Sequence, residues 1–168
     1  ILTPGDGPLY NVSLVFGADG KPLGQPQRKV VPVSSEEDFT ANAASQALQV
    51  TDTPTGRLGV LICAGSWPSE NFRLLADQQV ELLAVPVFLT GNDSRSSLWG
   101  GCNGTSSPAD VNIWQRRIAD SGASAAITVF LRGRLWDMTS VGESLIASHG
   151  QYRLTGVDGG AQLVNLWL

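Results

Sequence analysis

Hydrophobic and polar positions change their spacing several times along this chain, and the changes divide it into strands and helices. Residues 10–16 read as a strand. Gly17-Ala18-Asp19-Gly20-Lys21 is a hairpin turn signal that leads to a second strand over 28–33, ended at Pro32. Residues 35–48 fit either a short helix or an excursion loop; Ser34 or Ser35 would cap the helix, with Glu36, Glu37 and Asp38 in its first turn. A strand over 49–53 precedes a short apolar run over 58–62, which Thr55-Gly56 and Ala64-Gly65-Ser66 bound. Phe72, Leu74, Leu75 and Ala76 give residues 70–79 the pattern of a helix lying on a sheet. Residues 81–88 are almost continuously apolar, as in a strand covered on both faces. A helix over 109–121 carries Trp114 and Ile118 on one face, and a buried strand follows over 123–131. Residues 141–148, 151–155 and 162–168 read as antiparallel strands, turning at His149-Gly150 and at Asp158-Gly159-Gly160. Strands alternate with helices in mid-chain and hairpins flank them, so the expected class is α/β, a mixed sheet layered with helices.

Composition narrows the picture. The 168 residues are 42% hydrophobic and 15% charged, which suits a soluble globular chain, and no repeat or boundary divides residues 1–168 into more than one domain. The net charge of −4 and the absence of any basic run argue against a nucleic-acid partner. No apolar stretch is long enough for a membrane span and no secretory signal is visible; in a chain that opens at Ile1 this says little about location, so the compartment is left open with a cytoplasmic setting favoured. Asn11, Asn92 and Asn103 each begin an Asn-x-Ser/Thr tripeptide, a pattern that chance supplies in a chain rich in these residues. The loop over 90–108 is Gly-, Ser- and Asn-rich and long for a compact domain, which marks it as a functional or mobile connection.

Cys63 and Cys102 are too few for a disulfide framework; they could form one bridge, which spacing alone does not decide. No His or Cys pair has metal-ligand spacing, and no phosphate-binding glycine loop follows a strand, so no metal or cofactor is expected. The single histidine, His149, falls in a turn, which leaves a Cys–His or Ser–His mechanism without support. Cys63 lies where a buried strand must turn sharply into small residues, a place that can offer a thiol to a pocket beside a backbone N–H. The same residue also fits as a small buried hydrophobe. Any activation of its thiol must come from something other than histidine. Of the two lysines, Lys21 falls in the exposed hairpin turn. Lys29 sits among apolar neighbours in Arg28-Lys29-Val30-Val31-Pro32, either as an edge-strand lysine or as a cation beside a reacting thiol, with Glu36 or Glu37 near enough in sequence to orient it.

These segments, in order, resemble the nitrilase superfamily of carbon–nitrogen hydrolases. Leu9-Tyr10-Asn11-Val12-Ser13, with Asp19-Gly20 and Gly24, is similar to the family's opening hairpin. Arg28-Lys29-Val30-Val31-Pro32 followed by Glu36 resembles the segment of the catalytic lysine and a supporting glutamate, and the run from Gly56 to Cys63 resembles the nucleophile strand. Residues 70–86, 117–122 and Gly142-Glu143-Ser144 are similar to later landmarks. The chain departs from the family where Gly65 stands in place of an acidic residue and where Pro68 shifts the usual proline.

The resemblance implies an α-β-β-α sandwich, incomplete here because its N-terminal part, with the general-base glutamate, is absent from this chain. It implies Glu–Lys–Cys chemistry on a small-molecule amide or nitrile: Cys63 as nucleophile, Lys29 and the Ala64 N–H stabilising the tetrahedral species, and Glu36 in support. Two other outcomes stay open, a non-catalytic or assembly subunit that keeps the fold, and an acyltransferase of the same superfamily. Self-association into a homo-oligomer is expected, because an incomplete sheet has edges to cover.

Overall fold

A computed structural model describes residues 8–88, 108–131, 133–139, 143–155 and 163. Cys102, Asn92, Asn103, the turn at 158–160 and the strand expected over 162–168 lie outside the described residues, Leu163 apart.

The hairpin comes first. Strand β1 (Val12–Phe16) pairs antiparallel with β2 (Pro22–Arg28), and Gly20 takes φ 76° in the turn between them. This strand begins and ends earlier than the apolar pattern suggested. Lys29 follows β2 instead of lying in a strand over 28–33, although its N–H still reaches the Asn11 carbonyl at 2.8 Å. The turn residues, more than the apolar run, set the register, and Arg28-Lys29-Val30 is thereby freed to dive inward: Lys29 and Val30 are both buried. Residues 34–39 then form turns and Ser45–Ala47 a short 3-10 helix, so of the two readings of 35–48 the excursion is the one observed.

A six-stranded sheet follows. Its spatial order is β10, β9, β6, β5, β4, β3, formed by β3 (Val50–Thr53), β4 (Gly56–Val60), β5 (Leu82–Val87), β6 (Ala125–Phe130), β9 (Leu145–Ser148) and β10 (Gln151–Leu154). The central β4, β5 and β6 are parallel, and β3, β9 and β10 add antiparallel flanks. A small hairpin of β7 (Arg134–Leu135) and β8 (Met138–Thr139) bridges β6 and β9; strands of two residues leave no periodic trace in a sequence.

Helices α1 (Ser69–Ala76) and α2 (Pro108–Ser121) supply the layer that parallel strands require. Phe72 and Leu75 of α1 and Trp114 and Ile118 of α2 share one core with Leu83, Val85 and Val87 of β5 and with Leu145 and Ala147 of β9. The period of two along a strand sends Leu82, Ala84 and Pro86 to the opposite face. Gly59 is where α1 comes closest to the sheet: a Cβ there would stand 3.0 Å from a Val80 methyl and 3.1 Å from a Leu75 methyl. The fold class is therefore α/β with a mixed sheet, as the pattern predicts, and the parallel strands end together at the edge where Cys63 lies.

Candidate active site

Strand β4 ends at Val60, but the chain stays paired for one more step, through the Leu61 N–H to Ala84 carbonyl bond of 3.0 Å. Cys63 then opens a 3-10 turn, Cys63–Ser66, with φ 48°. The left-handed region is costly for a residue with a Cβ, and such strain persists only where neighbours hold it. Three side chains do so. Ser66 Oγ donates to the Cys63 carbonyl at 2.7 Å, Asn71 Nδ2 from α1 donates to the Gly65 carbonyl at 2.7 Å, and an Arg117 guanidinium nitrogen from α2 donates to the Ser66 carbonyl at 2.8 Å. Ser66, Asn71 and Arg117 are all buried. The turn is thus bolted to both helices, while the half-buried Cys63 thiol reaches outward and donates to the Phe88 carbonyl at 3.5 Å.

Lys29 arrives from the other side. It is only 6% exposed, and its ammonium forms an ion pair with Glu36 Oε2, itself 15% exposed. Asn11 Nδ2 donates to Glu36 Oε1 at 2.7 Å, and the Val33 N–H donates to Oε2 at 3.0 Å. Burial works against the charge on Glu36, but the bonds from Lys29, Val33 and Asn11 outweigh it and hold the carboxyl below its ordinary range. Glu36 is therefore a fixed anion that fixes a cation. Glu37, its exposed neighbour in the sequence, is on the solvent side.

Cys63, Lys29, Glu36 and Asn11 line one open cleft of about 520 Å³, with Pro86 and Phe88 at the end of β5. The sequence-derived set of Cys63, Lys29 and Glu36 is brought together here, and Ala64 lies fully buried behind the thiol as the second residue of the turn. Lys21 and His149 lie elsewhere, Lys21 exposed beside Asp19 and His149 in the β9–β10 turn at φ 48°. Asn11 and the Ser66–Asn71–Arg117 supports were not assigned from the sequence. Asn11 is 25 residues from Glu36 and Arg117 is 51 from Ser66, separations that leave no local signal. Among the described residues no group of three or more His, Cys, Asp or Glu side chains is positioned to hold a metal ion, and no helix is long and apolar enough to cross a membrane.

Comparison with known proteins points to one family. The family model described as carbon–nitrogen hydrolase matches residues 4–130. A curated relative, Nitrilase 3 from an unknown prokaryotic organism, is 34% identical over 82 residues, which are 48% of this chain and 24% of that protein. Among solved structures, a carbon–nitrogen hydrolase from Helicobacter pylori G27 superimposes with a TM-score of 0.68 at 20% identity, covering 89% of this chain and 53% of its own. An amidase from Nesterenkonia sp. gives 0.71 at 21% identity, covering 95% and 57%. These two similarities speak to the fold. The chain spans little more than half the length of these two solved proteins and about a quarter of the curated relative.

Proposed function

The chain belongs to the carbon–nitrogen hydrolase family, and from that premise we propose that it carries the thiol centre of an enzyme that hydrolyses a small amide or nitrile. The observation that supports this most is the meeting of Cys63 and the Glu36-held Lys29 in one cleft. In the amide reaction the Cys63 sulfur, as thiolate, attacks the carbonyl carbon. A C–S bond forms and the carbonyl electron pair moves to oxygen. The Lys29 ammonium and the Ala64 N–H stabilise that oxyanion. Its collapse breaks the C–N bond, and ammonia or an amine leaves with a proton from a general acid. Water then hydrolyses the thioester and restores the thiol.

Glu36 is not suited to the proton-carrying role, because three donors hold it charged and engaged. It orients Lys29, and the general-base glutamate that the resemblance implies is a residue other than Glu36. A second reading, a subunit that keeps the fold without turnover, rests on the engagement of Glu36: it is the acidic residue among the described lining of the cleft, and Lys29, Asn11 and Val33 all bond to it. Ammonia release from a panel of short amides, measured together with intact mass for an acyl group on Cys63, separates the two. The enzymatic reading expects an acyl adduct that Cys63→Ala abolishes. Amides that leave neither ammonia nor adduct would contradict it.

A further inference from the structure

The walls of the cleft carry information about the acyl group that the thiol would accept. Among the described lining residues, Lys29 and Glu36 are the charged ones, and each is the other's partner. The Asn11 amide nitrogen donates to Glu36. Ser35 adds a hydroxyl next to Glu36 in the sequence, and the remaining described wall is apolar, built largely from the ends of two parallel strands. Pro86 and Phe88 come from β5 and the residue after it, and Val129 and Leu131 from β6 and the residue after it. Pro86 lies opposite Val129 in the register, and the Leu131 N–H donates to the Val87 carbonyl at 2.8 Å, so the pairing runs on to the mouth of the cleft.

Val129 and Leu131 are two residues apart and share a face. They are 48% and 54% exposed where they border the cleft. Among the described lining residues, a carboxylate or ammonium laid along Pro86, Val129 and Leu131 would lose water and meet no charged group besides the Lys29–Glu36 pair. A neutral hydrocarbon group would instead cover the exposed wall and gain by it.

We infer that the acyl portion of the substrate is uncharged and apolar, an aliphatic chain or aromatic ring lying along Pro86, Val129 and Leu131. This rests on the assignment of Cys63 as nucleophile. The β6 pair then acts as a specificity determinant, and a cation introduced at its outer, exposed member should admit an acid.

The test is acylation of Cys63 by activated esters in a Cys102→Ser background, with 4-nitrophenyl valerate against the 4-nitrophenyl monoester of glutaric acid. Each rate is divided by that of a simple thiol such as N-acetylcysteine, and the site of the adduct is read by peptide mass. The valeryl ester is expected to be favoured by about tenfold or more, the scale on which apolar pockets discriminate. Leu131→Lys should narrow or reverse that ratio with the valeryl rate still measurable. A ratio near one, or a preference for the glutaryl ester in the unsubstituted chain, would overturn the inference and leave the nucleophile assignment standing. Failure of both esters to acylate Cys63 would overturn the assignment and the inference with it.

Discussion

The Ser66 hydroxyl donates a 2.7 Å hydrogen bond to the carbonyl oxygen of Cys63, and so closes the turn on which the thiol stands at φ 48°. A backbone strained at this position needs restraint from outside itself. Ser66→Ala removes the donor and leaves a carbonyl without it in a buried turn. The expected cost is about 1–3 kcal/mol, read from urea denaturation, together with slower acylation of Cys63. Unchanged stability and rate would mean that the turn is held by its other contacts.

Arg117 extends the same restraint to α2. Its guanidinium donates to the Ser66 carbonyl at 2.8 Å from a buried position. Arg117→Met keeps much of the apolar stem and removes the donor. It should lower stability by at least about 1–3 kcal/mol and slow Cys63 acylation, although the residue does not line the cleft. Acylation at the normal rate in a folded Arg117→Met variant would show that α2 supports the fold and not the thiol.

Glu36 predicts a pH dependence with a definite sign. Its folded carboxyl lies below the ordinary value of 4.5, because the bonds from Lys29, Val33 and Asn11 prevail over burial. The stability it contributes is complete above about 4.5 and is lost as pH falls through the lower folded value. Glu36→Gln should flatten the acid side of the stability profile. At neutral pH it should cost about 3–5 kcal/mol, since Lys29 is left buried without its counter-ion. An unaltered acid limb, measured by chemical denaturation between pH 3 and 7, would contradict this.

Gly59 tests the seating of α1 on the sheet. A Cβ would already press on Val80 and Leu75 at 3.0 and 3.1 Å. Gly59→Val should therefore destabilise by about 1–3 kcal/mol, visible as a lower thermal midpoint. No loss would mean that α1 sits less firmly than this packing implies.

The alternation of apolar strands and amphipathic helices made the central sheet legible, because 81–88 and 123–131 are nearly continuous apolar runs; the expected cover on both faces is not seen at Pro86, Val129 and Leu131, which are exposed on the face away from the helices. The hairpin was legible from Asp19-Gly20, but its second strand was misjudged. Arg28 to Val33 looks like a strand by composition, whereas Lys29 leaves the strand to meet Glu36, a partner that only the folded chain supplies. The thiol at the end of β4 was visible for the opposite reason, a local change from branched to small residues. Its supports were not, since Arg117 and Asn71 reach it through tertiary contacts that follow no spacing rule. Asn11 stood in plain view within the hairpin, and its role at Glu36 depended on a contact across 25 residues.

The central claim is that Lys29 and Cys63 act as one unit. The direct measurement is the pre-steady-state burst of nitrophenolate from 4-nitrophenyl valerate, with Cys102→Ser as the reference chain and with Lys29→Met and Cys63→Ala added to it. An activated ester needs little help in expelling its leaving group, so it reports attack and oxyanion stabilisation without a general acid. The account predicts one equivalent released per chain, no burst in the Cys63→Ala variant, and a burst slowed by about 10²–10³-fold in Lys29→Met. A Lys29→Met variant that stays folded and acylates as fast as its reference would contradict it.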